Sequence, residues 1–139
     1  MQISLVGAGY WGAKLKKELE NISNVDAVEI IDIKDGKSIE DIKYDNVVLA
    51  TPAWDHYKQT MLLLEQGKNL YVEKPLAHNI WQLRTLKKAA KYYNIVSQMG
   101  NQGHTTDGIR SIKEWYEQGH LGQVTEVHAW HGKINFGPG

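Results

Sequence analysis

The sequence predicts a doubly wound parallel α/β sheet followed by the start of a second, α+β domain, and three observations carry that prediction. Short apolar runs alternate with helical patterns over residues 1–104, the order that builds parallel strands joined by helical crossovers. The turn Gly7-Ala8-Gly9-Tyr10-Trp11-Gly12 joins the first run to the first helical pattern. The tripeptide Glu73-Lys74-Pro75 closes a later run. Both turns then fall at the carboxyl ends of strands, where open α/β sheets form their clefts.

Residues 3–6 are apolar apart from Ser4 and stop at Gly7, as a central parallel strand should. A helix is expected over 11–21, with Leu15, Leu19 and Ile22 on one face and Lys14, Lys16, Lys17, Glu18 and Glu20 around the rest. Residues 28–33 form the second strand, 34–44 a charged connection around Asp35-Gly36, and 47–50 the third strand, closed by Thr51-Pro52. The helix over 54–66 stops at Gly67, a suitable residue for the position after a helix end. Residues 70–72 make the fourth strand. Asn79 is the expected N-cap of the next helix, which turns Ile80, Leu83, Leu86, Ala90 and Tyr93 inward. A fifth strand follows at 95–99. A helix over 107–118, with Ile109, Ile112, Trp115 and Tyr116 facing in, ends at Gly119, and residues 124–131 alternate like a strand. The expected division is a nucleotide-binding domain at 1–104 and a partial second domain at 105–139. Trp54, Tyr57, Trp81, Tyr93, Trp115 and Tyr116 fall at helical spacing and read as core.

The composition excludes several functions. The chain has 139 residues, 42% of them hydrophobic, so a true core can form. Its formal net charge is zero, which gives no footprint for nucleic acid or an anionic membrane surface. It has no cysteine, so disulfides, thiolate metal sites and thiol catalysis are out. No apolar run approaches the ~20 residues of a membrane span, and no leader pattern precedes residue 3. The reading is a soluble, cytoplasmic protein. His128 and His131, three apart in an expected strand, point to opposite faces, so no metal site is expected.

The glycines of Gly7-x-Gly9-x-x-Gly12 suit a dinucleotide cradle in a Rossmann-like sheet. The first permits the tight turn, the second admits the pyrophosphate to the backbone, and the third lets helix and strand approach closely. Tyr10 and Trp11 lie inside that turn. Asp32, twenty residues after Gly12, ends the second strand, where a carboxylate accepts hydrogen bonds from the adenosine ribose and repels a 2′-phosphate. NAD is therefore expected rather than NADP, with Lys34 softening the preference; an ordinary turn acid is the alternative. Lys74 precedes a proline, which favours extended backbone and aims it toward the cleft, although locally it also reads as a surface lysine. Thr51, Pro52, His56 and Glu73 flank the same cleft as cofactor contacts, with capping or packing as the other reading of His56. Asn101, Gln102 and His104, in the loop after the fifth strand, are candidate substrate contacts or a plain turn.

Four segments together resemble the Gfo/Idh/MocA family of glucose–fructose oxidoreductase and inositol dehydrogenase: VGAGYWG, ATPAWDH, QGKNLYVEKPLA and EQGHLGQVTEVHAW. The resemblance spans nearly the whole chain, and its Gly100–His104 stretch is similar to relatives that include NAD-dependent glycosidases. It implies a Rossmann domain, then an open-faced antiparallel sheet domain for substrate binding and oligomer contacts, with Lys74 beside nicotinamide and substrate. Two features depart from the pattern. Residues 33–46 leave no room for the extra helix and strand common in the family, and the chain ends at Gly139 before the aspartate and histidine that complete its acid–base set.

The resulting expectation is an NAD-dependent oxidoreductase of a sugar or cyclitol secondary alcohol, with Lys74 as the catalytic residue. The chain would be truncated, inactive alone and self-associated through the strand at 124–131. The rivals are a catalytically silent NAD-binding module and an NAD-dependent glycosidase.

Overall fold

The computed structural model describes residues 1–130. Backbone contacts divide the chain into two compact units, the first being Met1–Asn101 and the second beginning at Gln102.

The first unit is a five-stranded, all-parallel sheet. Its strands are β1 (Gln2–Val6), β2 (Ala27–Ile31), β3 (Asn46–Leu49), β4 (Asn69–Val72) and β5 (Ser97–Met99), laid side by side in the order β2-β1-β3-β4-β5. Helix α1 (Tyr10–Glu20) connects β1 to β2, α2 (Ala53–Glu65) connects β3 to β4, and α3 (Ile80–Tyr92) connects β4 to β5. Alternation along the strands divides the core between the two sheet faces. Ile3, Leu5 and Val48 pack with Leu15 and Leu19 of α1. Val6, Val47, Leu49, Leu70 and Val72 pack with Leu63 and Leu64 of α2 and Leu86 of α3. The expected doubly wound sheet is what forms.

Local signals set most boundaries. Asn79 caps α3, its Oδ1 accepting the Gln82 N–H at 2.9 Å, while Gly67 and Gly119 follow α2 and the last helix with φ of +75° and +78°. The connection after β2 is not featureless. It forms two short 3-10 turns, Ile33–Asp35 and Ile39–Asp41, the second closed by reciprocal bonds between Ser38 and Asp41. The second strand accordingly stops at Ile31 rather than residue 33, and the fifth begins at Ser97 rather than residue 95.

Three expectations about burial and pairing are corrected. Trp54, Trp81 and Tyr93 are exposed and Tyr57 only half-buried, because α2 turns His56, Thr60, Leu63 and Leu64 inward and α3 turns Leu86 inward. Ile80, expected inward, is also exposed. In the second unit the helix α4 (Asp107–Glu117) forms, yet Ile109, Ile112, Trp115 and Tyr116 are exposed. A helix buries an apolar stripe only against a second layer, and among the described residues of this unit none covers it.

Residues 124–130 are not a strand. A strand is defined by its hydrogen-bonded neighbour, and no neighbouring strand lies against this segment among the described residues. The strand edge on which self-association was expected is therefore not formed there, and His131 falls outside the described residues. Among the described residues no helix is long and apolar enough to cross a membrane.

Candidate functional site

Register brings the chemically distinctive residues to one edge. Val6, Leu49, Val72 and Met99 are partners across β1, β3, β4 and β5. The next residues extend that row by one hydrogen bond each: Gly7 N–H donates to Ile31, Ala50 N–H to Val6, Glu73 N–H to Leu49, and Gly100 N–H to Val72, at 2.7–2.9 Å. Asp32, the Gly7–Gly12 turn, Thr51-Pro52, Glu73-Lys74 and Asn101 thus all leave the sheet at its carboxyl edge. The chain departs from β1 toward β2 on one side and returns to β3 on the other, so the loops after β1 and β3 flank the sheet's switch point.

The three glycines of the first turn are not equivalent. Gly7 has φ of +93°, and a Cβ there would lie 2.8 Å from the Ala50 carbonyl oxygen. A Cβ on Gly12 would overlap the carbonyl oxygen of Gly7. Both are required by the protein's own packing. Gly9, the N-cap of α1, has an ordinary φ of −68° and no atom within 4 Å of its Cβ position. The space beside it is open, at a helix N-terminus whose first turn carries no acidic residue and whose N–H groups lack helical partners. That is the environment a phosphate fits. Tyr10 and Trp11 stand exposed beyond it, ring edge to face at 5.4 Å, with the Lys14 ammonium 4.3 Å from the Tyr10 ring centre.

Asp32 braces this turn. Its Oδ2 accepts the Ala8 N–H at 2.7 Å and its Oδ1 the Lys34 N–H at 2.9 Å. These bonds, the Lys34 amide first and then Ala8, hold the carboxyl below the ordinary range; slight burial opposes them and the Lys34 ammonium assists. A carboxylate has about four acceptor positions, so the two amides leave capacity for hydroxyl donors. A carboxyl whose folded pKa is depressed stabilises the fold above its unfolded pKa, and that contribution is lost as pH falls through the folded value. Asp32→Asn is therefore expected to be less stable than the parent at neutral pH, with the gap closing at pH below the ordinary carboxylate range. Urea melts of both proteins across pH 7 to 3 check this; a constant gap contradicts it.

In the first turns of α2, after the β3 loop, His56 is 1% exposed. Its Nε2 lies 2.8 Å from the Thr51 carbonyl oxygen and its Nδ1 2.7 Å from that of Pro75. The Thr51 hydroxyl donates to Gln59 at 2.5 Å. Glu73 is buried, whereas Lys74 is exposed at the edge and its bond to Pro75 is cis. Pro52 is the exposed N-cap of α2. Asn101 is exposed where the first unit ends. Gln102 and His104 belong to the 3-10 turn Gln102–Thr105 of the second unit, which gives them a separate framework from Lys74.

Sequence reasoning missed Tyr71 and Gly100. A Cβ on Gly100 would come within 2.7 Å of the Tyr71 hydroxyl oxygen and 3.0 Å of Glu73 Oε1. Burial, then the charge on Glu73, raises the Tyr71 phenol above its ordinary pKa. The available signal was period two, since residues 71 and 73 of one strand share a face. Among the described residues no group of three or more His, Asp or Glu side chains could hold a metal ion.

Comparison with known proteins agrees with this architecture. Residues 36–101 match the GFO_IDH_MocA family, described as an oxidoreductase family with an NAD-binding Rossmann fold. An inositol 2-dehydrogenase of Rhodococcus jostii is 34% identical over 68% of this chain and 26% of its own length. A 2,7-anhydro-N-acetylneuraminate hydratase of Mediterraneibacter gnavus is 23% identical over 91% of this chain and 38% of its own. The solved scyllo-inositol dehydrogenase of Lactobacillus casei, with bound NAD(H) and scyllo-inositol, superimposes with a TM-score of 0.76 at 22% identity, covering 90% of this chain and 43% of that one. The chain thus spans less than two fifths of the length of these curated relatives. By its sheet order, its glycine turn and these matches, the chain belongs to the Gfo/Idh/MocA oxidoreductase family and carries that family's NAD-binding Rossmann fold.

Proposed function

We propose that this chain holds NAD at the carboxyl edge of its sheet and serves an oxidoreductase acting on a secondary alcohol of a sugar or cyclitol. The observation that carries the reading is the open space at Gly9, next to a helix N-terminus and an Asp32 carboxylate already anchored to the same turn. Gly7, Gly9 and Gly12 shape the cradle for the pyrophosphate, and Asp32 accepts the ribose hydroxyls. Tyr10, Trp11, Thr51 and Pro52 border the cofactor, and His56 and Glu73 support its wall from beneath. The nicotinamide, when bound, supplies hydride chemistry. Lys74 is an exposed cation at this edge and is assigned to orient the substrate hydroxyl and assist its proton transfer. Asn101, Gln102 and His104 are proposed substrate contacts, and residues 105–139 the start of a substrate-binding part.

NAD is expected to bind at least about tenfold more tightly than NADP, a difference of roughly 1.4 kcal/mol, because Asp32 repels a 2′-phosphate. Replacing Asp32 by alanine is expected to close most of that gap. Fluorescence titration with NADH and NADPH tests both statements, and equal affinity of the unaltered chain for the two cofactors would sink the assignment of Asp32. A second reading is favoured by the hydratase relative, since hydration involves no net redox change: this chain would then use NAD only transiently, with none consumed overall. Incubation with NAD and a panel of inositols, sugars and anhydro-sugars separates the two, since only the first accumulates NADH. A silent cofactor-binding module would bind NADH and transform none of them.

A further inference from the structure

We propose that His56 is a positioning residue that clasps the loop after β3 to the loop after β4, so that one side chain sets both the wall of the cofactor cleft and the backbone of Lys74. The proposal rests on the cofactor reading above. His56 lies in the first turns of α2, fully enclosed, and its ring stands between the carbonyls of Thr51 and Pro75. A carbonyl oxygen only accepts, so a contact is a hydrogen bond where the facing nitrogen carries a proton; the ring serves both carbonyls when each nitrogen is protonated and one otherwise.

The two carbonyls sit at consequential places. The Thr51 nitrogen lies 3.0 Å from the Cβ position of Gly7, so Thr51 limits the space beside the glycine turn. Helix α2 holds Thr51 twice, through His56 on its carbonyl and Gln59 on its hydroxyl. On the other side, the Glu73 N–H still pairs with β3, after which Lys74-Pro75 leaves the sheet and the Pro75 carbonyl meets His56. An apolar side chain of similar volume would fill the same space and leave both carbonyls without this donor. Among protein side chains, only the doubly protonated imidazole ring places two N–H donors on opposite sides of a compact flat ring.

Two substitutions separate the two bonds. The amide nitrogen of asparagine reaches about as far as Nδ1 and that of glutamine about as far as Nε2. His56→Gln keeps the Thr51 contact, and is expected to displace the Lys74 and Leu76 amide resonances in 1H–15N spectra while weakening NADH binding less than His56→Asn does. His56→Asn keeps the Pro75 contact, and is expected to leave those resonances in place while weakening NADH binding by about tenfold. A side chain that merely fills space would not produce this crossed pattern. Folded variants that both retain parent affinity and parent Lys74 and Leu76 resonances would overturn the clasp. If the unaltered chain binds no NADH, the cofactor reading falls; the clasp is then judged on the unliganded amides, which must move in His56→Gln and stay in His56→Asn. If neither variant folds, the His56 ring decides in the unaltered chain. A ring N–H protected from exchange supports the clasp, and a freely exchanging ring refutes it.

Discussion

Gly12→Ala is expected to destabilise the protein by about 3 kcal/mol or more, lowering its melting temperature by on the order of 10 °C. The methyl group would overlap the Gly7 carbonyl oxygen, and neither atom can yield cheaply. Gly7 is tied to β2 by its N–H bond to Ile31 and abuts the Ala50 backbone, while Gly12 is built into α1. Gly9→Ala provides the contrast. With no atom near its Cβ position and an ordinary φ, it should shift stability by only about 0.5–1 kcal/mol, the scale of an N-cap change. NADH affinity should nevertheless fall roughly tenfold or more, about 1.4 kcal/mol, because the methyl occupies the space assigned to the pyrophosphate. Thermal melts and NADH titrations of both variants check the pair. A Gly9→Ala protein with parent affinity would remove the principal support for the cradle.

With a substrate that the protein oxidises or reduces using NAD, Lys74→Met should lower kcat by ~10²–10⁴, the usual scale for a positioned proton-transfer group. Cofactor affinity should stay within a few-fold. Lys74 is exposed at the carboxyl edge, so removing its ammonium leaves the core intact. An effect confined to rate identifies an interaction made in the transition state, whereas a rise in KM with unchanged kcat identifies uniform binding. Unchanged kcat in Lys74→Met would therefore end its catalytic assignment.

The legible parts of this protein are those written in local pattern. Apolar runs and helical spacing disclosed five strands and four helices to within a few residues. Asn79 and the glycines at 67 and 119 marked helix ends because capping is a matter of the adjacent backbone. The spacing from Gly12 to Asp32 placed the acid at the end of the second strand; the structure sets it just beyond β2, with its carboxylate reaching back to the Ala8 amide.

What the sequence by itself determined was the order of elements and the set of residues delivered to strand ends, since alternation and turn chemistry act over a few residues. Tertiary structure alone decided which helix faces would be covered. Periodicity groups Trp54 with Tyr57 and Ile109 with Ile112, but burial depends on what packs opposite, and these side chains remain wholly or partly open. It likewise decided that residues 124–130 are not a strand, because a strand needs a hydrogen-bonded neighbour and alternation supplies none. The contact of His56 with Pro75, and the approach of Gly100 to Tyr71 and Glu73, join residues from different loops and strands. Only the register of parallel strands brings such residues together, and register is a property of the assembled sheet.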